Sequence, residues 1–128
     1  MSPSRAPVLP TDLAAIDIGS NSFRLEIGQV SPGRYKRVDY LKETVRLGAG
    51  LDTEGMLTED AVSRGLACLA RFAQRLAGYP KGQVRAVATQ TLREARNRDL
   101  FLARAQTVLG HPIEVISGRE EARLVFEG

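Results

Sequence analysis

Apolar positions change their spacing along the chain, and the changes mark its elements. Leu13 to Gly19 (LAAIDIG) is a short apolar run of the kind a buried strand shows. In FRLEIGQV, Phe23, Leu25 and Ile27 then alternate with Arg24 and Glu26, the period of a half-buried strand. Gly19-Ser20-Asn21-Ser22 lies between the two, so the pair predicts a β-hairpin with a polar tip. Ser31-Pro32-Gly33-Arg34 follows, with proline and glycine where a type II turn needs them. A third strand is predicted from Tyr35 to Leu47, completing an antiparallel meander.

Glycine-rich Gly48-Ala49-Gly50 and Asp52-Thr53-Glu54-Gly55 form a loop before the strongest helical pattern, Thr58 to Ala77. Its stripe is Val62, Leu66, Leu69, Ala73 and Leu76, with Thr58 as N-cap, Glu59 and Asp60 in the first turn, and Gly78 and Pro80 as the stop. Val84 to Ala88 reads as a strand. The chain turns helical after Thr89, with Phe101, Leu102, Ala105, Val108 and Leu109 as its apolar face, until Gly110 and Pro112. Ile113 to Ile116 is a further strand. Ser117 to Phe126 starts with Ser-Gly-Arg-Glu, a capping box in which Glu120 reaches back to Ser117. The order βββαβαβα predicts an α/β layered domain, a mixed sheet with an antiparallel three-strand meander and helices covering it. The same order matches ribonuclease H-like (actin-like ATPase) half-domains.

Composition narrows the class. The chain has 128 residues, 43% hydrophobic and 26% charged, which suits one packed domain. Residues 1–12 read as a flexible leader and 13–128 as the domain. Neither a membrane span nor a secretory signal is visible, so a cytoplasmic location is expected. One cysteine, Cys68, and one histidine, His111, exclude a disulfide framework and disfavour a structural zinc site. Cys68 falls beside the helical stripe with no cationic partner at helical spacing on its face, which reads as a buried structural thiol. His111 precedes Pro112 in a turn and is expected to be exposed and inert. The formal charge of +3 concentrates in 81–110, around Arg85, Arg93, Arg96, Arg98 and Arg104. Such a stretch attracts polyanions, but it lacks interleaved aromatics. A solvated helix face is therefore the preferred reading, and nucleic acid is not an expected partner.

Three segments could carry chemistry. Asp17-Ile18-Gly19-Ser20-Asn21-Ser22 delivers an aspartate to a strand end and then a turn of small residues. The N–H groups of that turn can form an anion nest, and Asp17 can hold Mg²⁺ through oxygen; an ordinary polar hairpin has the same composition. Thr89-Gln90-Thr91-Leu92-Arg93-Glu94-Ala95 places hydroxyls and an arginine just beyond a strand, suited to an anion or to a wet helix face. Glu120 has a capping role, whereas Glu121 has no local one. Glu121 is thus a surface glutamate or a carboxylate that orients or deprotonates an attacking water.

AAIDIGSNSFRL (14–25), VATQTLREARN (87–97) and IEVISGREEARLVFEG (113–128), with LGAGLDTEGMLTEDAVSRGL (47–66), together resemble the N-terminal domain of the exopolyphosphatase and guanosine pentaphosphate phosphohydrolase family. The resemblance implies two actin-like lobes with substrate between them and a divalent metal, usually Mg²⁺. The reaction it implies is attack of water on the terminal phosphoanhydride of inorganic polyphosphate or guanosine pentaphosphate. By motif, Gly19, Ser20, Asn21 and Ser22 resemble the first phosphate loop and Arg93 the phosphate-binding arginine. Glu121 resembles the catalytic carboxylate, and Asp17 would lie near the metal. The family's second glycine-rich phosphate loop does not occur before Gly128. This stretch alone is therefore expected to be one lobe with negligible hydrolysis, and a homodimer through its open cleft face is expected. A non-catalytic polyanion-binding module is the alternative of a different class.

Overall fold

The computed structural model describes residues 8–116, the side chains of Gln90 and Thr91 excepted. Five strands form one mixed sheet: β1 (Asp12–Ile18), β2 (Ser22–Ser31), β3 (Arg34–Thr44), β4 (Val84–Ala88) and β5 (Ile113–Val115). Their spatial order is β3-β2-β1-β4-β5. β1, β2 and β3 pair antiparallel as the predicted meander, and β4 and β5 add in parallel. This is the ribonuclease H-like, actin-like order expected. Pro32 and Gly33 make the β2–β3 turn, with Gly33 at φ 71°.

Strand alternation sorts the two faces. Ala14, Ile16, Ile18, Phe23, Leu25, Ile27, Val84, Ala86 and Ala88 are buried on one of them. Helices α1 (Glu59–Arg75) and α3 (Arg98–Leu109) share a core with these residues through Phe72, Leu69, Phe101 and Ala105. The opposite face carries Ala15, Asp17, Arg24, Glu26 and Arg85, all half-buried or exposed. Glu43, on the helix-side register of β3, accepts from Arg71 Nε at 2.8 Å, and Asp39 pairs with Arg75, tying α1 to the sheet's edge strand. Among the described residues no helix is long and apolar enough to cross a membrane.

Several sequence expectations are corrected. β3 ends at Thr44 rather than Leu47, because Val45 and Arg46 turn out of the ladder to bind the β1–β2 turn. The helical stretch after Thr89 is two helices, α2 (Gln90–Glu94) and α3, since residues 95–97 turn to join the loop before α1. On α1, Gly65, Cys68 and Phe72 are buried, while Leu66 and Ala73 sit at the stripe's margin. Cys68 does have a cation at helical spacing, Arg71, but Arg71 is committed to Glu43. Burial, reinforced by the Glu43 carboxylate, pushes the thiol up to about 12, so it is structural. The predicted helix from Ser117 lies outside the described residues.

His111 is buried rather than exposed, at 7% accessibility. Burial holds its imidazole below the usual 6.5, and the nearby Lys81 charge adds to the effect. A histidine depressed in the fold is neutral there, whereas the unfolded chain takes up its proton below pH 6.5. Stability should therefore fall as pH drops below that value, before Glu43 begins to lose its own contribution below 4.5. Urea unfolding at about pH 7.5 and about pH 5.5 checks this, and His111→Gln should flatten the difference.

Close approach rather than dihedral freedom explains Gly50, where an added Cβ would lie 2.2 Å from Ala61 Cβ in α1. Gly50→Ala should lower stability by roughly 1–3 kcal/mol through overpacking. Gly82→Ala, with nothing within 4 Å, should be near neutral by the same urea measurement.

Candidate functional site

The C-terminal ends of β1 and β4 lie side by side. Ile18 is in register with Ala88, and Thr89 N donates to the Ile18 carbonyl at 3.2 Å. The Gly19–Ser22 turn and the Thr89–Glu94 segment therefore leave the sheet at the same end, from adjacent strands. Such carboxyl ends of parallel strands are where open α/β sheets gather ligands. The sheet brings together two of the three segments singled out from sequence. Glu121, the third, lies outside the described residues.

Backbone hydrogen bonds fix the turn. Gly19 N donates to Ser22 O at 3.1 Å, closing it. Val45 N and Arg46 N both donate to the Asn21 carbonyl, at 3.0 and 2.8 Å, and Gly48 N donates to the Ser20 carbonyl at 2.8 Å. Among the described residues no peptide bond is cis. In a trans peptide the N–H points opposite to the preceding carbonyl, so the N–H groups of Asn21 and Ser22 are directed away from this strap. Ser22 is buried at 8% exposure, while Ser20 and Asn21 are exposed. The Asn21 and Ser22 N–H groups thus leave the turn on the side away from the strap.

Asp17 is half-buried on the open face of the sheet, directly across from Arg24. Its Oδ1 is buried and has no hydrogen-bond partner among the described residues. Burial raises the carboxyl above its usual 3.8, and Arg24 opposes that shift. Sequence reading missed Arg24, although a hairpin with Ser20 and Asn21 at its tip pairs Asp17 with Arg24 as it pairs Ile18 with Phe23. A lone, unpartnered carboxylate oxygen is a suitable anchor for a hard cation that completes its shell with water and phosphate. Among the described residues no group of three or more His, Cys, Asp or Glu side chains comes together. Asp17 could hold a divalent cation as one oxygen ligand.

Arg93 is exposed on α2, and its carbonyl accepts from Arg98 Nη1 at 2.6 Å. Thr89, just before α2, is buried at 7% exposure. Asn97 fixes this region to the loop before α1. Its Oδ1 accepts from Leu57 N at 2.9 Å and its Nδ2 donates to Leu57 O at 3.1 Å, while Arg96 N donates to Gly55 O. The arginine-rich stretch does not form one patch. Arg85 pairs with Glu114, Arg104 with Glu59, and Arg96 and Arg98 bind carbonyls. A depression lined by Lys81, Gln106, Thr107, Gly110, His111 and Pro112 lies where β5 begins, at the opposite end of the sheet from the turn.

Desolvation of Asp17 makes a prediction. A carboxyl raised in the fold costs stability at neutral pH, and that cost disappears as pH falls to the usual 3.8. Asp17→Asn should therefore raise the urea midpoint at neutral pH and give no gain near pH 3.8. An unchanged midpoint at neutral pH would mean that Arg24 offsets the burial in full.

Comparison with known proteins places these features in context. The Ppx/GppA phosphatase family model matches residues 26–128. The chain superposes on the Aquifex aeolicus PPX-GPPA enzyme with a TM-score of 0.79 and 32% identity, over 87% of this chain and 37% of that one. An exopolyphosphatase from Cytophaga hutchinsonii matches with a TM-score of 0.81 and 32% identity, over 91% of this chain and 38% of that one. An exopolyphosphatase-like protein matches at 0.80 and 34% identity, over 88% and 34% respectively. This chain thus spans little more than a third of the length of these structures.

Proposed function

The chain belongs to the Ppx/GppA phosphatase family, and from that premise we propose that it is the first phosphate-binding lobe of an exopolyphosphatase. The observation that supports this reading best is the strapped turn beside Thr89. Its Ser20 and Asn21 carbonyls are tied back, so its outward N–H groups share one sheet end with the Arg93 segment. Inorganic polyphosphate is the proposed substrate, as the Cytophaga relative's name suggests. Guanosine pentaphosphate is the alternative within the same reaction class.

In the proposed reaction the Gly19–Ser22 turn binds phosphate oxygens through backbone N–H groups and the Asn21 and Ser22 side chains. Arg93 offsets charge on the phosphate oxygens with its guanidinium. Asp17 would hold the divalent cation, which when bound polarises the terminal phosphoryl group and neutralises part of its charge. Glu121 accepts a proton from the attacking water. The water oxygen bonds to the terminal phosphorus as the bridging P–O bond breaks, releasing orthophosphate and a polyphosphate shorter by one unit. Preorganised donors stabilise charge most where water is excluded. The activity is accordingly assigned to a protein in which a second lobe faces this one.

The test is orthophosphate release from polyphosphate by a protein carrying this chain and a second lobe. Arg93→Ala should lower kcat/KM by about 10²–10³, the range for removal of one charge-stabilising donor. Glu121→Gln should abolish release while Glu120→Gln mainly lowers stability. Release by Glu121→Gln equal to the parent would sink the catalytic assignment. Faster turnover of guanosine pentaphosphate than of polyphosphate would transfer the substrate to the alternative.

A further inference from the structure

We infer that Arg64, on α1, is a positioning residue that holds the phosphate turn in its binding conformation through the Val45–Gly48 strap. The functional half of this inference rests on the reading of the turn as a phosphate site. Arg64 Nε donates to the Val45 carbonyl at 3.0 Å and Nη2 to the Arg46 carbonyl at 3.3 Å. Nη1 pairs with Asp60, one turn earlier on the same helix, which fixes the plane of the guanidinium. The two residues whose carbonyls Arg64 grips are the two whose N–H groups converge on the Asn21 carbonyl. An unbroken path therefore runs from the Asp60 carboxylate through Arg64 and the strap to the peptide units that aim the Asn21 and Ser22 N–H groups.

Two features make the strap dependent on such a grip. Arg46 adopts φ 54°, and it is the single non-glycine among the described residues with positive φ. That conformation is unfavourable for a side chain of this kind and persists where surrounding bonds impose it. It turns the chain so that Gly48 N reaches the Ser20 carbonyl while the Arg46 carbonyl faces Arg64. Arg64 itself is surplus to the helix, whose core contacts come from Ala61, Val62, Gly65, Cys68, Leu69 and Phe72. A planar fork with several donors can hold two successive carbonyls and a carboxylate together, which a lysine ammonium cannot do in the same geometry.

Amide hydrogen exchange of the 128-residue chain tests the grip without ligand. In Arg64→Gln, exchange at Val45, Arg46 and Gly48 should quicken about tenfold or more, as for loss of hydrogen bonds from a charged donor. Exchange at Leu69 and Phe72, in the middle of α1, should stay unchanged. Arg64→Lys should recover only part of the protection, and Asp60→Asn, which keeps the arginine, should loosen the same three amides to a smaller degree. Tripolyphosphate titration, followed by the Asn21 and Ser22 amide signals, then reads the consequence: affinity should fall several-fold in Arg64→Gln. Unchanged exchange at the strap in both Arg64→Gln and Asp60→Asn overturns the inference. Looser strap amides with parental tripolyphosphate affinity overturn the positioning role alone. Absence of any Asn21 or Ser22 response in the parent overturns the phosphate reading and the functional half of the inference, and the grip itself is then decided by the strap exchange alone.

Discussion

The parallel pairing of β1 with β4 is the constraint on which both the core and the candidate site depend. Parallel neighbours cannot be joined by a tight turn, so the chain must cross over one face of the sheet to come back in register. That crossover is α1, and the next, between β4 and β5, is α3; both lie on the face that carries Ile16, Ile18, Phe23 and Leu25. The two helices meet where α1 has Gly65. A Cβ there would lie 3.3 Å from the Phe101 ring and 3.5 Å from Phe23. One small residue thus lets a sheet aromatic and a helix aromatic close on α1 together. The register that results sets Ile18 against Ala88, and the two loop segments that follow these residues start as neighbours. The site's position is therefore a consequence of how the core packs.

Much of this was readable along the chain because the relevant signals are local. A short apolar run marked β1 and alternation marked β2, Thr58 marked the start of α1 by accepting from Ala61 N at 3.2 Å, and Gly110 marked the end of α3 at φ 82°. What escaped depends on partners distant in sequence. Val45 to Leu47 has strand composition, yet its first two N–H groups are taken by Asn21, so the strand stops early. Ala95 to Asn97 has helical composition, yet Asn97 binds both backbone groups of Leu57, forty residues away, and the helix breaks. His111 sits in a turn beside Pro112, and turns are usually wet. Burial at this one comes from the packing where α3 ends and β5 begins, which no short window of sequence contains.

The arginine-rich stretch shows the same limit in electrostatic form. Summed along the sequence, 81–110 holds six basic residues against two acidic ones, a balance that attracts polyanions although a solvated helix face is the preferred reading. In three dimensions its members diverge. Arg85 stands on the open sheet face against Glu114, Arg104 reaches Glu59 on α1, and Arg96 and Arg98 serve backbone carbonyls. Arg93 is the member carried on the segment beside the Gly19–Ser22 turn. Exposed pairs of this kind contribute little stability each, so their effect is chiefly to spend local charge on neighbours. Arg93 is exposed on α2, which leaves the sheet at the same end as the Gly19–Ser22 turn.

Local sequence rules are broken at the same end of the sheet. Asp17 occupies a strand position where burial disfavours its charge, and its Oδ1 lacks a partner among the described residues. Arg46 holds a left-handed backbone that its side chain disfavours. Neither helps the core, and both could be relieved by ordinary substitutions, so stability alone does not explain them. They are separated in sequence but joined by the turn: Asp17 stands at its entrance, and Arg46 sits in the strap that ties back its carbonyls. Strain and unsatisfied charge converging on one small turn are what a preorganised anion and cation site requires, because donors aimed beforehand need no reorganisation when the ligand arrives. In contact with water those donors are screened. Their full effect needs solvent excluded around them, and Asn21 and Arg93 are exposed.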